Sequence, residues 1–215
     1  MKIKSKNYQD YIIKDGKFIG EFEEMYQNID DPWHHKNAAT LQYDLVLYLI
    51  DKYKICSKGG KILDIGCGKG AFTARFKKAR PKTQILAVDI SPTAIKKAKQ
   101  KYRHLGIDFR VMNIKKEYKN IKNRFDLIII SQLMWYILLD FRSIVNYLIK
   151  NTLKKGGYLL INQAFYKPRV QKYGKEIIAN PEDMLKLIKL KPIERIESGK
   201  MISDSYNVTV FFENR

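Results

Sequence analysis

Leu63-Asp64-Ile65-Gly66-Cys67-Gly68-Lys69-Gly70 is the stretch that decides the fold. A short apolar strand, Lys61 to Ile65, runs into three glycines at alternate positions. A helical pattern follows from Lys69 to Ala79 and stops before Pro81. Glycines permit a tight turn and let a ligand approach the backbone closely. The spacing is not the Gly-x-Gly-x-x-Gly of dinucleotide sites, and Asp64 stands just before the glycines. A carboxylate in that place suits a ligand bearing an ammonium group and repels a pyrophosphate.

Outward from this loop the chain alternates strand and helix. Gln84 to Val88 reads as a second strand. Ser91-Pro92 then starts a helix, with Ser as N-cap and Pro at the first helical position, running to about His104. Ile107 to Met112 is a third strand, and Phe125 to Ile130 is a continuous apolar run, as a strand buried on both faces would be. Phe141 to Leu153 is a helix closed by Lys154-Lys155-Gly156-Gly157, and Tyr158 to Asn162 is a fifth strand. Pro181 to Leu190 is a helix, and Ile193 to Lys200 with Tyr206 to Phe212 forms a closing pair. Toward the N-terminus, Ala38 to Tyr53 fits an amphipathic helix, whereas residues 1–36 are polar and weakly periodic, with Asp30-Asp31-Pro32-Trp33 as a turn. This alternation predicts an α/β, doubly wound, mostly parallel sheet with its ligands at the carboxyl ends of the strands. Residues 1–59 form a lid and helix of the same domain as the core, residues 60–215.

A second acid, Asp89, ends strand two about one βα unit after the glycines, where a carboxylate accepts hydrogen bonds from ribose hydroxyls. Two carboxylates and a glycine turn, with no phosphate-binding lysine motif, describe a nucleoside that carries an amino acid. That ligand is S-adenosylmethionine.

With these residues the chain resembles class I S-adenosylmethionine-dependent methyltransferases over about residues 60–165. The glycine loop, Asp89, the Phe125–Ile129 strand and the segment from Leu153 to Ile161 carry the resemblance. It implies a Rossmann-like sheet of seven strands in the order 3-2-1-4-5-7-6, the last antiparallel, with an N-terminal helical cover. It also implies that Gly66, Cys67, Gly68 and Gly70 wrap the methionine part while Asp64 supports the loop. Asp89 and Ile90 would border the ribose, Met112, Asn113 and Ile114 the adenine, and Ser131 the end of strand four. S-adenosylhomocysteine would be the product.

The acceptor side falls to the ends of strands four and five. The Asn/Asp-Pro-Pro-aromatic motif of base amino methylases and the Pro-Cys pair of cytosine enzymes are both missing. Ser131-Gln132-Leu133-Met134-Trp135-Tyr136 instead resembles the Ser-Glu-x-x-Tyr-Tyr stretch of nodulation-type sugar N-methyltransferases, with Gln132 in place of the Glu. Asp31-Pro32-Trp33 resembles the segment that covers the cofactor in that group, and an indole over a sulfonium is a favourable cation–π arrangement. His34 and His35 are candidate bases, with Tyr136 and Gln132 as further catalytic candidates. Asn162, Gln163, Tyr166, Lys167 and Arg169 are the acceptor-binding candidates, the last two suiting a phosphorylated group. The Asp-Pro-Trp-His and Asn-Gln-x-Phe-Tyr stretches also resemble methyltransferases of surface polysaccharides, including the capsule O-methyl phosphoramidate type. No metal site is expected, because no further His or Cys falls at ligand spacing.

These residues favour methylation of the O or N of a small polar or phosphorylated acceptor in surface-glycan or capsule precursor synthesis. Two alternatives stand beside it: an RNA- or tRNA-modifying methyltransferase, and a cofactor-binding protein without catalysis. Composition bounds the choice. The 215 residues are 45% hydrophobic and 29% charged, an ordinary globular balance, and the net charge is +19. Residues 69–124 hold 17 basic and 3 acidic residues. Such a block raises nucleic acid as a partner. In the resembled fold, however, it covers the cofactor half and lies largely outside the acceptor pocket, so a nucleic-acid partner is not expected. Two cysteines, no secretory signal and no apolar run long enough for a membrane span lead to the expectation of a reduced, cytoplasmic protein.

Overall fold

The computed structural model describes residues 5–15, 17–33, 40–167, 169–171, 173–199 and 204–215. A seven-stranded sheet forms its centre: β1 (Gly60–Ile65), β2 (Thr83–Asp89), β3 (Asp108–Val111), β4 (Phe125–Ser131), β5 (Leu153–Tyr166), β6 (Pro192–Ser198) and β7 (Ser205–Asn214). Their order across the sheet is 3-2-1-4-5-7-6, and only the pairings that β7 makes, with β5 and with β6, are antiparallel. The mostly parallel α/β sheet is the one the strand–helix alternation predicts, and its strand order is the one the family resemblance implies.

Alternation along the central strands feeds two cores. In β4, Ile128 and Ile130 join one cluster with Phe141, Val145 and Leu148, while Leu127 and Ile129 join another with Leu49, Ile50 and Phe76. Successive side chains of a strand point to opposite faces, so a run apolar at every position needs cover on both sides. Helices α3 (Thr40–Lys52), α4 (Ala71–Ala79) and α5 (Pro92–Tyr102) supply residues to one core. Helices α6 (Ile114–Glu117), α7 (Phe141–Asn151) and α8 (Pro181–Lys186) supply the other. Each fully buried Leu, Ile or Phe contributes about 1.5–3 kcal/mol.

Two segments differ most from the sequence reading, and α8 also stops at Lys186 rather than Leu190. The fifth strand starts at Leu153, not Tyr158, and ends at Tyr166, not Asn162. Gly156, at φ +71°, does not turn the chain out of the sheet. Residues between Leu153 and Tyr158 bulge, because Phe125 pairs with Leu153 but Leu127 with Tyr158. Beyond Asn162 the strand continues because β7 offers partners as far as Ser205. The second difference lies in residues 1–36, where α1 (Gln9–Ile12) and α2 (Phe22–Asn28) form, with a two-residue ladder between Ile13–Lys14 and Lys17–Phe18. Tyr11, Ile12, Met25 and Tyr26 pack with Ala94 of α5 as a third small core. Phe22, Met25, Tyr26 and Ile29 recur at helical spacing, which is the signal for α2.

Candidate active site

The strand ends and the N-terminal cover enclose a cavity of about 720 Å³. Its floor is the glycine loop. Gly68 has φ +53°, and a Cβ on it would come within 2.7 Å of the Tyr26 hydroxyl, so the cover lies directly on this glycine. Gly68 N donates to Asp89 Oδ2 at 2.8 Å, and Ser91 N donates to Asp89 Oδ1 at 2.9 Å. Each carboxylate oxygen keeps a lone pair for a further donor. Asp64 lies beside this loop and accepts from Thr73 Oγ1 at 2.5 Å. Burial pushes its carboxyl up to about 6, against the Thr73 hydrogen bond and aided by the charge of Asp89. Burial also raises the Asp89 carboxyl, against the hydrogen bonds from Ser91 and Gly68. Two buried carboxylates beside one cavity form an acceptor set for a cationic, hydroxyl-rich ligand.

The cover is anchored beside this floor. Glu23 of α2 accepts from Thr93 N at 3.0 Å and from the hydroxyls of Ser91 and Thr93. Burial pushes its carboxyl up, but these hydrogen bonds outweigh it and hold the group below its ordinary value. Lys97 Nζ donates to Tyr26 O at 2.8 Å. Trp33 Nε1 donates to the Tyr26 hydroxyl at 2.7 Å, and the Trp33 ring lies 5.1 Å from Tyr8 and 6.0 Å from Tyr136. Tyr136 also meets Phe22 edge-on at 5.0 Å, and burial pushes its hydroxyl well up.

At the other end of the cavity, beyond β4, Gln132 stands in the left-handed region at φ +54°. Its Nε2 donates to Asn162 Oδ1 at 2.8 Å and to Asn207 Oδ1 at 2.9 Å, and its Oε1 accepts from Ala164 N at 3.0 Å. Of the residues the sequence singles out, the structure brings fifteen to this cavity: Trp33, Asp64, Gly66, Cys67, Gly68, Asp89, Ile90, Met112, Asn113, Ile114, Ser131, Gln132, Tyr136, Asn162 and Tyr166. Asn113 has a structural task as well: its Oδ1 caps α6 by accepting from Lys115 N.

Four others are placed elsewhere. Gly70 is buried against Phe109 and Ala98, so a glycine is needed there for helix packing. Gln163 is 1% exposed and accepts from Met134 N, which fixes the turn after β4. Lys167 and Arg169 do not line the cavity, and Arg169 is solvent-exposed and paired with Asp204. The chain turns away from the sheet after Tyr166, and Asp204 neutralises the cation that was expected to meet a phosphate. His34 and His35 lie outside the described residues. The sequence reading missed Tyr8, Phe18, Phe22, Tyr26, Gln42, Tyr43 and Asn207, which also line the cavity.

Part of the basic block lies away from the cavity. Lys82, Lys101, Arg103, Lys122 and Arg124 precede β2, β3 and β4, at the amino ends of the strands, whereas the cavity opens at the carboxyl ends. Lys115 and Lys116 are the cations on its lining among the described residues, and Lys115 pairs with Asp140 at 3.3 Å. Among the described residues no helix is long and apolar enough to cross a membrane.

A methyltransferase domain family matches residues 56–201, well over half of the chain. The chain belongs to that family. This methyltransferase-family chain has S-adenosylmethionine as its cofactor, and the glycine floor with two buried carboxylates fits it. Its fold is that of the N-methyltransferase NodS from Bradyrhizobium japonicum WM9, solved with S-adenosylhomocysteine. The likeness has a TM-score of 0.69 and 22% identity, over 86% of this chain and 92% of that one. WbdD is similar as well, with a TM-score of 0.65 and 17% identity over 83% of this chain and 41% of that one. The malonyl-[acyl-carrier protein] O-methyltransferase of Acetivibrio thermocellus is 30% identical over 123 residues, 56% of this chain and 42% of that protein. The match thus spans less than half the length of the curated relatives.

Proposed function

We propose that this chain transfers the methyl group of S-adenosylmethionine to an oxygen or nitrogen of a small polar acceptor, in the building of a surface-glycan or capsule precursor. One observation carries the reading. A single cavity joins the buried carboxylates Asp64 and Asp89 to an end lined by amides and aromatic rings. That end has no cation, carboxylate or imidazole among the described residues Ser131, Gln132, Tyr136, Asn162, Ala164, Tyr166 and Asn207. Amides with ring faces suit an uncharged, hydroxylated molecule such as a sugar better than a phosphate. NodS is an N-methyltransferase, which is compatible with a nitrogen acceptor.

When bound, the cofactor supplies an electrophilic methyl on a sulfonium. Asp89 would accept from its ribose hydroxyls through the lone pairs that Gly68 and Ser91 leave, and Asp64 would face its ammonium. Gly66, Cys67 and Gly68 let the backbone lie against the amino-acid part, and Met112, Asn113 and Ile114 border the base. Ile90 and Ser131 close the two sides of this half. Trp33 and Tyr136 exclude water from the transfer, so that the acceptor atom is held in line with the methyl. The acceptor loses its proton to His34 or His35, or arrives as a free amine.

The test is formation of S-adenosylhomocysteine with amino sugars, uncharged sugars and phosphorylated sugars offered separately. Turnover with the first two classes supports the reading. Turnover confined to phosphorylated sugars, or to RNA with a steep loss in salt, overturns it.

A further inference from the structure

The amides at the acceptor end form a chain with only one possible orientation. Gln132 Oε1 accepts from Ala164 N at 3.0 Å, and a backbone N–H cannot become an acceptor. The Gln132 amide is therefore fixed, with Nε2 on the opposite side. There it meets Asn162 Oδ1 at 2.8 Å and Asn207 Oδ1 at 2.9 Å, so both asparagines must turn their carbonyls toward it. Asn162 then spends its Nδ2 on Thr209 Oγ1 at 2.6 Å. Asn207 lines the cavity, and nothing among the described residues accepts from its Nδ2. A backbone held at φ +54° aims Gln132 between the two asparagines, a strained conformation of the kind found at functional sites.

We infer that Asn207 is the hydrogen-bond donor that reads an oxygen of the acceptor, and that Gln132 is the positioning residue that sets its polarity. This rests on the proposed methyl-transfer reading and narrows it: the acceptor presents an uncharged oxygen lone pair to β7. A glutamate at position 132 would keep the bond to Ala164 N but would need donors from both asparagines. Asn207 would then flip and offer its carbonyl to the cavity. One atom at position 132 thus decides whether the site selects an oxygen acceptor or an N–H donor.

The test uses the full chain saturated with S-adenosylhomocysteine and two probes, methyl glucoside and glucosamine, with affinities from calorimetry. Asn207→Ala should weaken methyl glucoside about tenfold, the worth of one hydrogen bond to a polar ligand, while S-adenosylhomocysteine binds as in the wild type. Gln132→Glu should shift preference toward glucosamine, whose ammonium donates. Unaltered methyl glucoside affinity in Asn207→Ala, an unaltered preference in Gln132→Glu, or no binding of methyl glucoside to the wild-type complex would each overturn the inference. Loss of S-adenosylhomocysteine binding by the wild type would overturn the methyl-transfer reading itself, so the two failures are told apart.

Discussion

Gly68 N donates to Asp89 Oδ2 at 2.8 Å, which ties the loop after β1 to the end of β2 and makes the floor of the cavity one unit. Replacing Asp89 with Ala removes this acceptor and the one for Ser91 N at 2.9 Å. Each orphaned buried N–H costs about 1–3 kcal/mol. Asp89→Ala should therefore lower the unfolding midpoint and weaken S-adenosylhomocysteine at least tenfold, by roughly the worth of one charge-assisted hydrogen bond. Calorimetry with unchanged affinity would remove Asp89 from the cofactor site.

A Cβ at Gly68 would meet the Tyr26 hydroxyl at 2.7 Å while the next atom of the ring stays 3.7 Å away. Gly68→Ala should destabilise the protein through this clash and through a left-handed residue, the latter costing about 1–2 kcal/mol. Tyr26→Phe removes the oxygen that clashes. The double variant should be more stable than the two single losses add up to, and strict additivity in urea unfolding would contradict the contact.

Asp64 titrates in the folded chain at about 6, against an ordinary 3.8. Between these values the folded state binds more protons than the unfolded state. The Asp64 contribution to the stability of the cofactor-free protein then falls as pH rises from about 4 to about 6, by roughly 3 kcal/mol, and this contribution is level above that range. Asp64→Asn should abolish this component. The check is urea unfolding of both proteins across that window, where a difference that does not vary with pH would refute the shift.

Arg169 is tied to Asp204 at 2.7 Å and stands outside the cavity. Arg169→Ala should leave the acceptor KM unchanged for any substrate that the turnover screen finds. A raised KM confined to phosphorylated acceptors would return this residue to the site.

Glu23 binds Thr93 N and the Ser91 and Thr93 hydroxyls across the seam between α2 and α5. Glu23→Ala should cost about 1 kcal/mol, as loss of a helix cap does, and should speed amide exchange in α2 before any other helix. Exchange that rises uniformly along the chain would show that Glu23 does not hold the cover.

Much of this protein is determined by local pattern. Alternating strands and helices, and glycines bounded by Asp64 and Asp89, mark an α/β sheet and the loop at its strand ends, because period and turn chemistry act within a few residues, while the strand order followed from the family resemblance. Phe22, Met25 and Tyr26 carry a readable helical spacing, but nothing local says that Tyr26 lies over Gly68, 42 positions along the chain. The far end of the cavity was legible only in part: Ser131, Gln132, Tyr136, Asn162 and Tyr166 could be picked from the sequence, whereas the place of Asn207 and the exclusion of Lys167 and Arg169 were decided by tertiary structure. Asn207 faces Gln132 because β7 pairs antiparallel with β5, setting Asn207 opposite Ala164 and Thr209 opposite Asn162. Lys167 and Arg169 follow the same strand in sequence, yet Asp204 draws Arg169 away from the site. Which side chains converge on a substrate depends on strand register and long-range pairing, and a one-residue slip would turn every one of them to the other face.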